Sequence, residues 1–222
     1  MKNFTFFIAL ILFSSTVFAQ ETHSISDSLL QKLIDGNLRF VSGVAIHPNE
    51  SMSQVKELQS AQHPFVIVVS CSDSRVSPEI IFDQGLGDIF SIRTAGNVIG
   101  DLELGSIEYA VEHLHCNLIV VLGHENCGAI KAFLNDSSEK HNDHIGKIIE
   151  YLSDEIEQKE VLENDKHNIP KAVDANIKHG VNLLEHSKPI LEEFVEYNRL
   201  KIVGGLYNLS TGKVIFQEEL IE

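Results

Sequence analysis

Two runs of apolar, largely β-branched residues constrain the fold of this chain more than any other feature. They occupy residues 65–69 and 118–122. Continuous apolar runs of this length are typical of strands that are buried on both faces, as in parallel sheets. The first run leads into the motif Cys71-Ser72-Asp73-Ser74-Arg75, and the second leads into His124-Glu125-Asn126-Cys127. Because open α/β sheets hold their ligands at the carboxyl ends of the strands, we expect both motifs at one sheet edge.

The rest of the chain alternates between further strands and helical patterns. Three more strands are predicted, at residues 88–93, 201–207 and 213–217. The tight turn between the last two makes that pair antiparallel. Helices are predicted at residues 26–41, 54–59, 78–85, 101–114, 126–134 and through most of 141–198. The fold class is therefore α/β: a mostly parallel five-stranded sheet with an antiparallel last strand and helices on both faces.

The predicted N-terminal helix, residues 26–41, lies outside the strand–helix alternation and has one apolar face. We predict that this face packs on a partner subunit. Packing on its own chain is the alternative.

Residues 1–19 have the features of a secretory signal peptide. Lys2 precedes an apolar stretch at residues 4–13, and Val17-Phe18-Ala19 supplies small residues at a cleavage site. The stretch is shorter than the about 20 residues that span a bilayer, so we expect no stable membrane association after cleavage. An uncleaved N-terminal anchor is the alternative. We predict export to the periplasm, with residues 20–222 forming a single domain.

The net charge limits the class of molecule that this chain can bind, and the cysteine content limits the kind of site that the cysteines can form. The net charge of −15 argues against nucleic acid, since phosphate contacts need a basic surface, and suits a protein that acts on small molecules. The three cysteines are an odd number in a compartment where disulfides persist. Cys71 and Cys127 could form a bridge and leave Cys116 unpaired. A metal site accounts for the set better, because it also gives Asp73 and His124 a role.

Two thiolates and one imidazole, from Cys71, Cys127 and His124, form a typical zinc donor set. The fourth position would belong to Asp73 or to a solvent molecule. Arg75 can hold Asp73 bidentately and so keep that position open for water. Zinc lowers the pKa of its water to about 7, which provides a hydroxide nucleophile at neutral pH. The alternative is a structural zinc site with four fixed ligands.

These motifs resemble those of the β-class carbonic anhydrases. The similarity extends to residues 93–97 and 105–110, and covers roughly residues 27–217. It implies zinc-dependent, reversible hydration of carbon dioxide to bicarbonate and a proton by a zinc-bound hydroxide. It also implies a homodimer or homotetramer. Cys71, His124 and Cys127 match the family's permanent ligands, and Asp73 and Arg75 match its catalytic pair.

The resemblance assigns further residues to substrate binding. Gln62 matches an amide that hydrogen-bonds substrate in the plant-like subgroup. Phe90 and Tyr109 match the aromatic lining of a cleft to which both subunits contribute. Gly128 belongs to the matched motif that contains His124 and Cys127, and is also assigned to substrate binding.

One departure from the family pattern bears on regulation. A bicarbonate-regulated subgroup carries tryptophan where this chain has Val68, and this chain contains no tryptophan. Arg93 and Tyr207 match the other two members of that regulatory pocket. Together with Gln62, this favours the plant-like subgroup, whose site is open.

Two other functions are compatible with the same residues. The site could hydrolyse carbonyl sulfide or carbon disulfide, which are also linear molecules. The chain could instead be a non-catalytic zinc or thiol-redox protein that uses Cys71 and Cys127.

Overall fold

The computed structural model describes residues 25–136, 143–165 and 167–217. The predicted signal peptide, residues 1–19, lies outside these ranges, so it remains a prediction. None of the helices within them combines the length and apolar composition that a bilayer crossing requires.

Five strands form one sheet in the order β2-β1-β3-β4-β5. The strands are β1 Val66–Cys71, β2 Ile89–Thr94, β3 Leu118–His124, β4 Lys201–Tyr207 and β5 Val214–Phe216. The first four are parallel, and β5 is antiparallel to β4. Every residue of β1 and β3 is buried, as the continuous apolar runs predicted. The predicted sheet is thereby confirmed.

Nine helices surround the sheet in the described ranges. They are α1 25–41, α2 Met52–Glu57, α3 Pro78–Ile81, α4 Asp101–Glu112, α5 Gly128–Leu134, α6 His144–Asp154, α7 Ile156–Asp165, α8 Ile169–Glu185 and α9 Ile190–Glu196. Side chains of α1 and α3 join the core on one face of the sheet. Side chains of α4 to α9 pack on the other face. Helices therefore cover both faces, as predicted.

Helix α1 packs on its own chain. Leu30 and Leu33 are buried in the core beneath the sheet. The Asn37 amide donates to the carbonyl oxygens of Ile81 and Gly212, at 3.1 and 2.9 Å. In a single chain, therefore, the apolar face of this helix packs on its own chain, which was the alternative to packing on a partner subunit. Contact of the remaining surface with a partner, for example through Leu38, which is 54% exposed, stays a prediction.

Several helix boundaries differ from the predicted ones by one to four residues. Helix α4 begins at Asp101, as predicted; its N-cap is Gly100, and the Glu103 carboxylate accepts the Gly100 N–H at 3.0 Å. This side chain satisfies a backbone donor that the helix itself leaves free. Helix α3 ends at Ile81, four residues before its predicted end. Asp83 has a φ of +47°, which is incompatible with a continuing helix.

The strand register sets the position of the functional motifs. Ser70 pairs with Leu122 across β1 and β3, so the two central strands end at nearly the same level. Cys71 is the last residue of β1 and His124 is the last residue of β3. The predicted meeting of the two motifs at one sheet edge is confirmed.

Candidate metal centre

Three potential metal ligands meet at the carboxyl edge of β1 and β3. The ligand atoms of Cys71, His124 and Cys127 lie within 4.8 Å of one another, and all three residues are buried. Strand ends deliver Cys71 and His124, while Cys127 is the N-cap of α5. The structure thus brings together the three residues that the sequence predicts as ligands.

The His124 ring has the orientation of a metal ligand. Its Nδ1 lies 2.9 Å from the carbonyl oxygen of Glu125. Because a carbonyl only accepts, Nδ1 carries the proton and Nε2 carries the lone pair. This Nε2 is fully buried and has no hydrogen-bond partner among the described residues. A buried acceptor is rarely left unpaired, so a cation beside the two cysteines accounts for this geometry.

The two thiols share a negative charge. The hydrogen bond from Cys127 is the main reason why the pKa of Cys71 falls to about 4, and backbone N–H groups contribute to the same decrease. The backbone N–H of Gly96 donates to Cys71 Sγ at 3.3 Å. The same hydrogen bond, together with burial, raises the pKa of Cys127. A divalent ion would favour the thiolate of both.

The loop between His124 and Cys127 is fixed by the C-terminal hairpin. The Glu125 carboxylate accepts from the Asn208 amide at 2.8 Å and from the Leu209 N–H at 3.2 Å. Asn126 has a φ of +57°, and this turn delays the start of α5 from the predicted residue 126 to Gly128. The turn points Cys127 back toward Cys71, so that the two sulfurs and Nε2 of His124 meet in one cluster.

Asp73 and Arg75 form the predicted bidentate pair beside the ligands. Nε of Arg75 donates to Oδ1 of Asp73 at 2.9 Å, and a terminal nitrogen donates to Oδ2 at 2.7 Å. These bonds hold the pKa of Asp73 well below its usual range. Oδ2 lies 3.9 Å from Nε2 of His124, so the carboxylate faces the ligand cluster while Arg75 holds it. Arg93 supports the loop by donating to the carbonyl oxygens of Asp73 and Cys71, at 2.8 and 3.3 Å.

The predicted substrate-binding residues are more dispersed. A Cβ atom added to Gly128 would meet open space, so this residue borders a gap next to Cys127. Gln62 is exposed in the segment before β1, toward the amino edge of the sheet and away from Cys71. Phe90 pairs with Ile67 near the start of β2 and is partly buried. Tyr109 is 48% exposed on α4.

The three residues that match the regulatory pocket lie on three different strands, β1, β2 and β4, and each has other contacts. Val68 and Tyr207 are buried in the core that contains α1. The Arg93 guanidinium is engaged by the two carbonyl oxygens named above.

Sequence reasoning missed three residues that support the centre: Gly96, Glu125 and Asn176. Gly96 supplies the N–H to Cys71, and Asn176 supports Gly96 from α8. Glu125 and Gly96 both lie inside stretches that match the family, and this match is a sequence signal for their importance. The contact between Asn176 and Gly96 spans 80 residues, and no local pattern indicates it.

The donor set fits a tetrahedral ion of borderline softness. Two cysteine sulfurs and one imidazole nitrogen are the ligands that zinc favours, and catalytic zinc sites supply three protein ligands and leave one position open. Asp73 occupies the side on which such a position would lie. The arrangement can therefore hold a metal and present a carboxylate beside it.

Comparisons with known proteins identify the family of the chain. Residues 66–214 match the carbonic anhydrase family. A carbonic anhydrase of Mycolicibacterium smegmatis is 39% identical over 193 residues, covering 85% of this chain and 91% of that protein. Carbonic anhydrase 2 of Mycobacterium tuberculosis is 38% identical over 196 residues, with the same coverage. Among solved structures, the β-carbonic anhydrase CcaA superposes with a TM-score of 0.70 at 30% identity, covering 86% of this chain and 96% of that one. The Coccomyxa β-carbonic anhydrase in complex with acetazolamide superposes with a TM-score of 0.63 at 29% identity, covering 72% and 74%. With the ligand set, the sheet and these similarities in place, the chain belongs to the β-class carbonic anhydrase family.

Proposed function

We propose that this protein catalyses the reversible hydration of carbon dioxide to bicarbonate and a proton, and that its resident metal is zinc. The observation that carries the proposal is the unpaired Nε2 of His124, which faces two cysteine sulfurs with Asp73 3.9 Å away. A structural site would need no charged pair beside it. Family membership supports the same reaction.

Cys71, His124 and Cys127 would hold the ion, and Asp73 would stay with Arg75. When bound, zinc supplies Lewis acidity and makes water a nucleophile at neutral pH. The chain's own groups then orient that water. Asp73 is ionised, so Oδ2 can only accept a hydrogen bond, and a water that donates to it directs its remaining lone pairs away from the carboxylate. Arg75 keeps Asp73 from taking the position of the water.

Carbon dioxide would enter over the open space at Gly128. The water oxygen would form a bond to the carbon while one C=O π pair moves to oxygen, and one water proton would pass to solvent buffer, which leaves bicarbonate as the product. We assign Gln62, Phe90 and Tyr109 to the substrate cleft. Within one chain Gln62 and Phe90 lie toward the other edge of the sheet, so this assignment requires a homodimer or homotetramer in which a partner completes the cleft. The valine at position 68 supports placement in the plant-like subgroup.

We also propose that residues 1–19 direct export to the periplasm and are then removed. N-terminal sequencing of protein from a periplasmic fraction should begin at Gln20. A protein that retains Lys2 in a membrane fraction would overturn this part.

The central test measures zinc content and the carbon dioxide hydration rate on one preparation of protein. We expect about one zinc per chain and hydration that is lost on chelation and restored by zinc. A Cys116→Ser variant is the matched control, because Cys116 is a buried thiol whose hydrogen bond goes to the Pro64 carbonyl, outside the centre. Full zinc occupancy without hydration would overturn the proposal.

Carbonyl sulfide and carbon disulfide are assayed in parallel with carbon dioxide. Turnover of either sulfur compound, without turnover of carbon dioxide, would identify the protein as a carbonyl sulfide or carbon disulfide hydrolase.

A further inference from the structure

A buried asparagine outside the motifs supports the metal centre from behind. Asn176 lies in the middle of α8 and is only 3% exposed. Its amide nitrogen donates to the carbonyl oxygen of Gly96 at 2.8 Å. The N–H of the same glycine donates to Cys71 Sγ at 3.3 Å. Asn176 is thus two hydrogen bonds away from a ligand sulfur.

The backbone conformation and close packing of Gly96 make the direction of its N–H sensitive to small movements. It has a φ of +70°, in the left-handed region that side chains disfavour. A Cβ atom added to it would lie 2.9 Å from the Cβ of Ala129 at the start of α5. The 3₁₀ turn Ala95–Asn97 is therefore pressed between the strand end that carries Cys71 and the helix that follows Cys127. A small rotation of this turn would move the N–H away from the sulfur.

Helix α8 is in turn seated on the strand that carries His124. A Cβ atom added to Gly123 would lie 2.6 Å from Ile177, the residue after Asn176. The helix and β3 are therefore in close contact one residue before His124. A single rigid helix thus touches the structural supports of both Cys71 and His124.

We propose that Asn176 is a positioning residue of the metal centre: it fixes the Gly96 backbone so that the Gly96 N–H points at Cys71 Sγ and the sulfur keeps its place opposite His124. A purely structural role, in which Asn176 only satisfies a buried carbonyl, is the competing account. The inference rests on the metal site of the proposed function and not on the reaction. Partners that orient a ligand from outside the coordination shell change metal affinity by about 10–100-fold when removed.

The test compares zinc affinity in two variants that lose the same kind of hydrogen bond. Asn176→Ala removes the amide that supports Gly96. Gln158→Ala is the matched control, because the Gln158 amide is also buried and donates to a backbone carbonyl of α8, that of Ala172, at 2.7 Å. Zinc affinity is measured by competition with a chromophoric chelator, and the unfolding midpoint of the metal-free protein is measured alongside.

We expect Asn176→Ala to lower zinc affinity about tenfold. Gln158→Ala should lower the unfolding midpoint to a similar degree, yet change zinc affinity less than about twofold. The intensity of the sulfur-to-cobalt absorption band in the cobalt-loaded protein should fall only in the Asn176 variant. If Asn176→Ala does not fold, the measurement uses Asn176→Asp instead. Aspartate has nearly the same shape as asparagine but lacks the amide donor, so this variant should also lower zinc affinity.

Gly96→Ala provides an internal check. It should reproduce the loss of affinity, and the double variant with Asn176→Ala should lose little more than either single variant, because both act through one backbone segment. Wild-type zinc affinity in Asn176→Ala, an equal loss of affinity in Gln158→Ala, or additive losses in the double variant would each overturn the proposal. Hydration is not part of these measurements, so an inactive protein with these affinities would count against the proposed reaction alone.

Discussion

The Glu155 carboxyl group, at the junction between α6 and α7, gives the most direct prediction about stability. Its side chain is 2% exposed, and neither carboxyl oxygen has a hydrogen-bond partner among the described residues. Burial raises its pKa to about 9, while the Gln158 side chain opposes the rise and the charge of Glu157 adds to it. Glu155 is therefore protonated in the folded protein at neutral pH.

This raised pKa makes stability depend on pH in a definite direction. The unfolded chain releases the proton above the ordinary value of 4.5, whereas the folded chain keeps it until about pH 9. The free energy of unfolding therefore falls as pH rises between these limits, by up to about 1.4 kcal/mol for each pH unit. At pH 7 the upper limit of this loss is about 3 kcal/mol.

The variant Glu155→Gln should recover most of that loss. Glutamine keeps the shape and the donor of the neutral acid but cannot ionise in the unfolded chain. We expect a gain of about 1–3 kcal/mol in the free energy of unfolding at pH 7, close to zero near pH 4.5 and larger at pH 8. Urea denaturation followed by circular dichroism at pH 5, 6, 7 and 8, at one protein concentration, measures it.

The matched control is Glu163→Gln, which removes the same charge from an exposed position on α7. It should change the free energy of unfolding by less than about 0.5 kcal/mol at every pH. A Glu155→Gln gain that does not increase with pH, or a loss at pH 8, would refute the reasoning, since either result means that Glu155 is ionised in the folded protein.

Three further predictions concern the metal centre. Cys71→Ala should lose zinc affinity by more than about 100-fold, because even outer-shell changes cost 10–100-fold, and metal analysis after dialysis measures it. Full zinc occupancy would remove Cys71 from the ligand set. Arg75→Ala should retain zinc while the hydration rate falls about 100-fold, because Asp73 is no longer held away; zinc loss would show a structural role instead. Hydration should follow one smooth titration through the neutral range, without inhibition by added bicarbonate beyond product competition, since Val68 replaces the tryptophan of the regulated subgroup. A steep, cooperative loss of rate with bicarbonate would contradict the subgroup assignment.

Much of the centre could be predicted from local sequence. The apolar runs before Cys71 and His124 indicate buried parallel strands, and the physics of such sheets places their ends together. The spacing of His124 and Cys127 likewise indicates a turn into a helix. These inferences need only the residue types and their order.

The remaining features depend on contacts between distant segments. The sequences of β1 and β2 do not indicate that β2 lies at the edge of the sheet, next to β1. The Asn208 amide reaches Glu125 across 83 residues, and Asn176 reaches Gly96 across 80. Glu155 looks like one more charge in an acidic helical region, because its burial is decided by how α6 and α7 pack. Sequence periodicity carries no information about such pairings.

The anchoring of Glu125 by Asn208 and Leu209 has a consequence for the order of events during biosynthesis. All three ligands have been synthesised once residue 127 has been added, but the hairpin that holds the loop between two of them is made about 80 residues later. A chain truncated before β4 would carry every ligand but lack the hairpin that holds the loop between His124 and Cys127. We therefore expect high-affinity metal uptake to be a late step, which follows completion of the chain. If the protein is exported as an unfolded polypeptide, this order would leave metal selection to the compartment in which it folds.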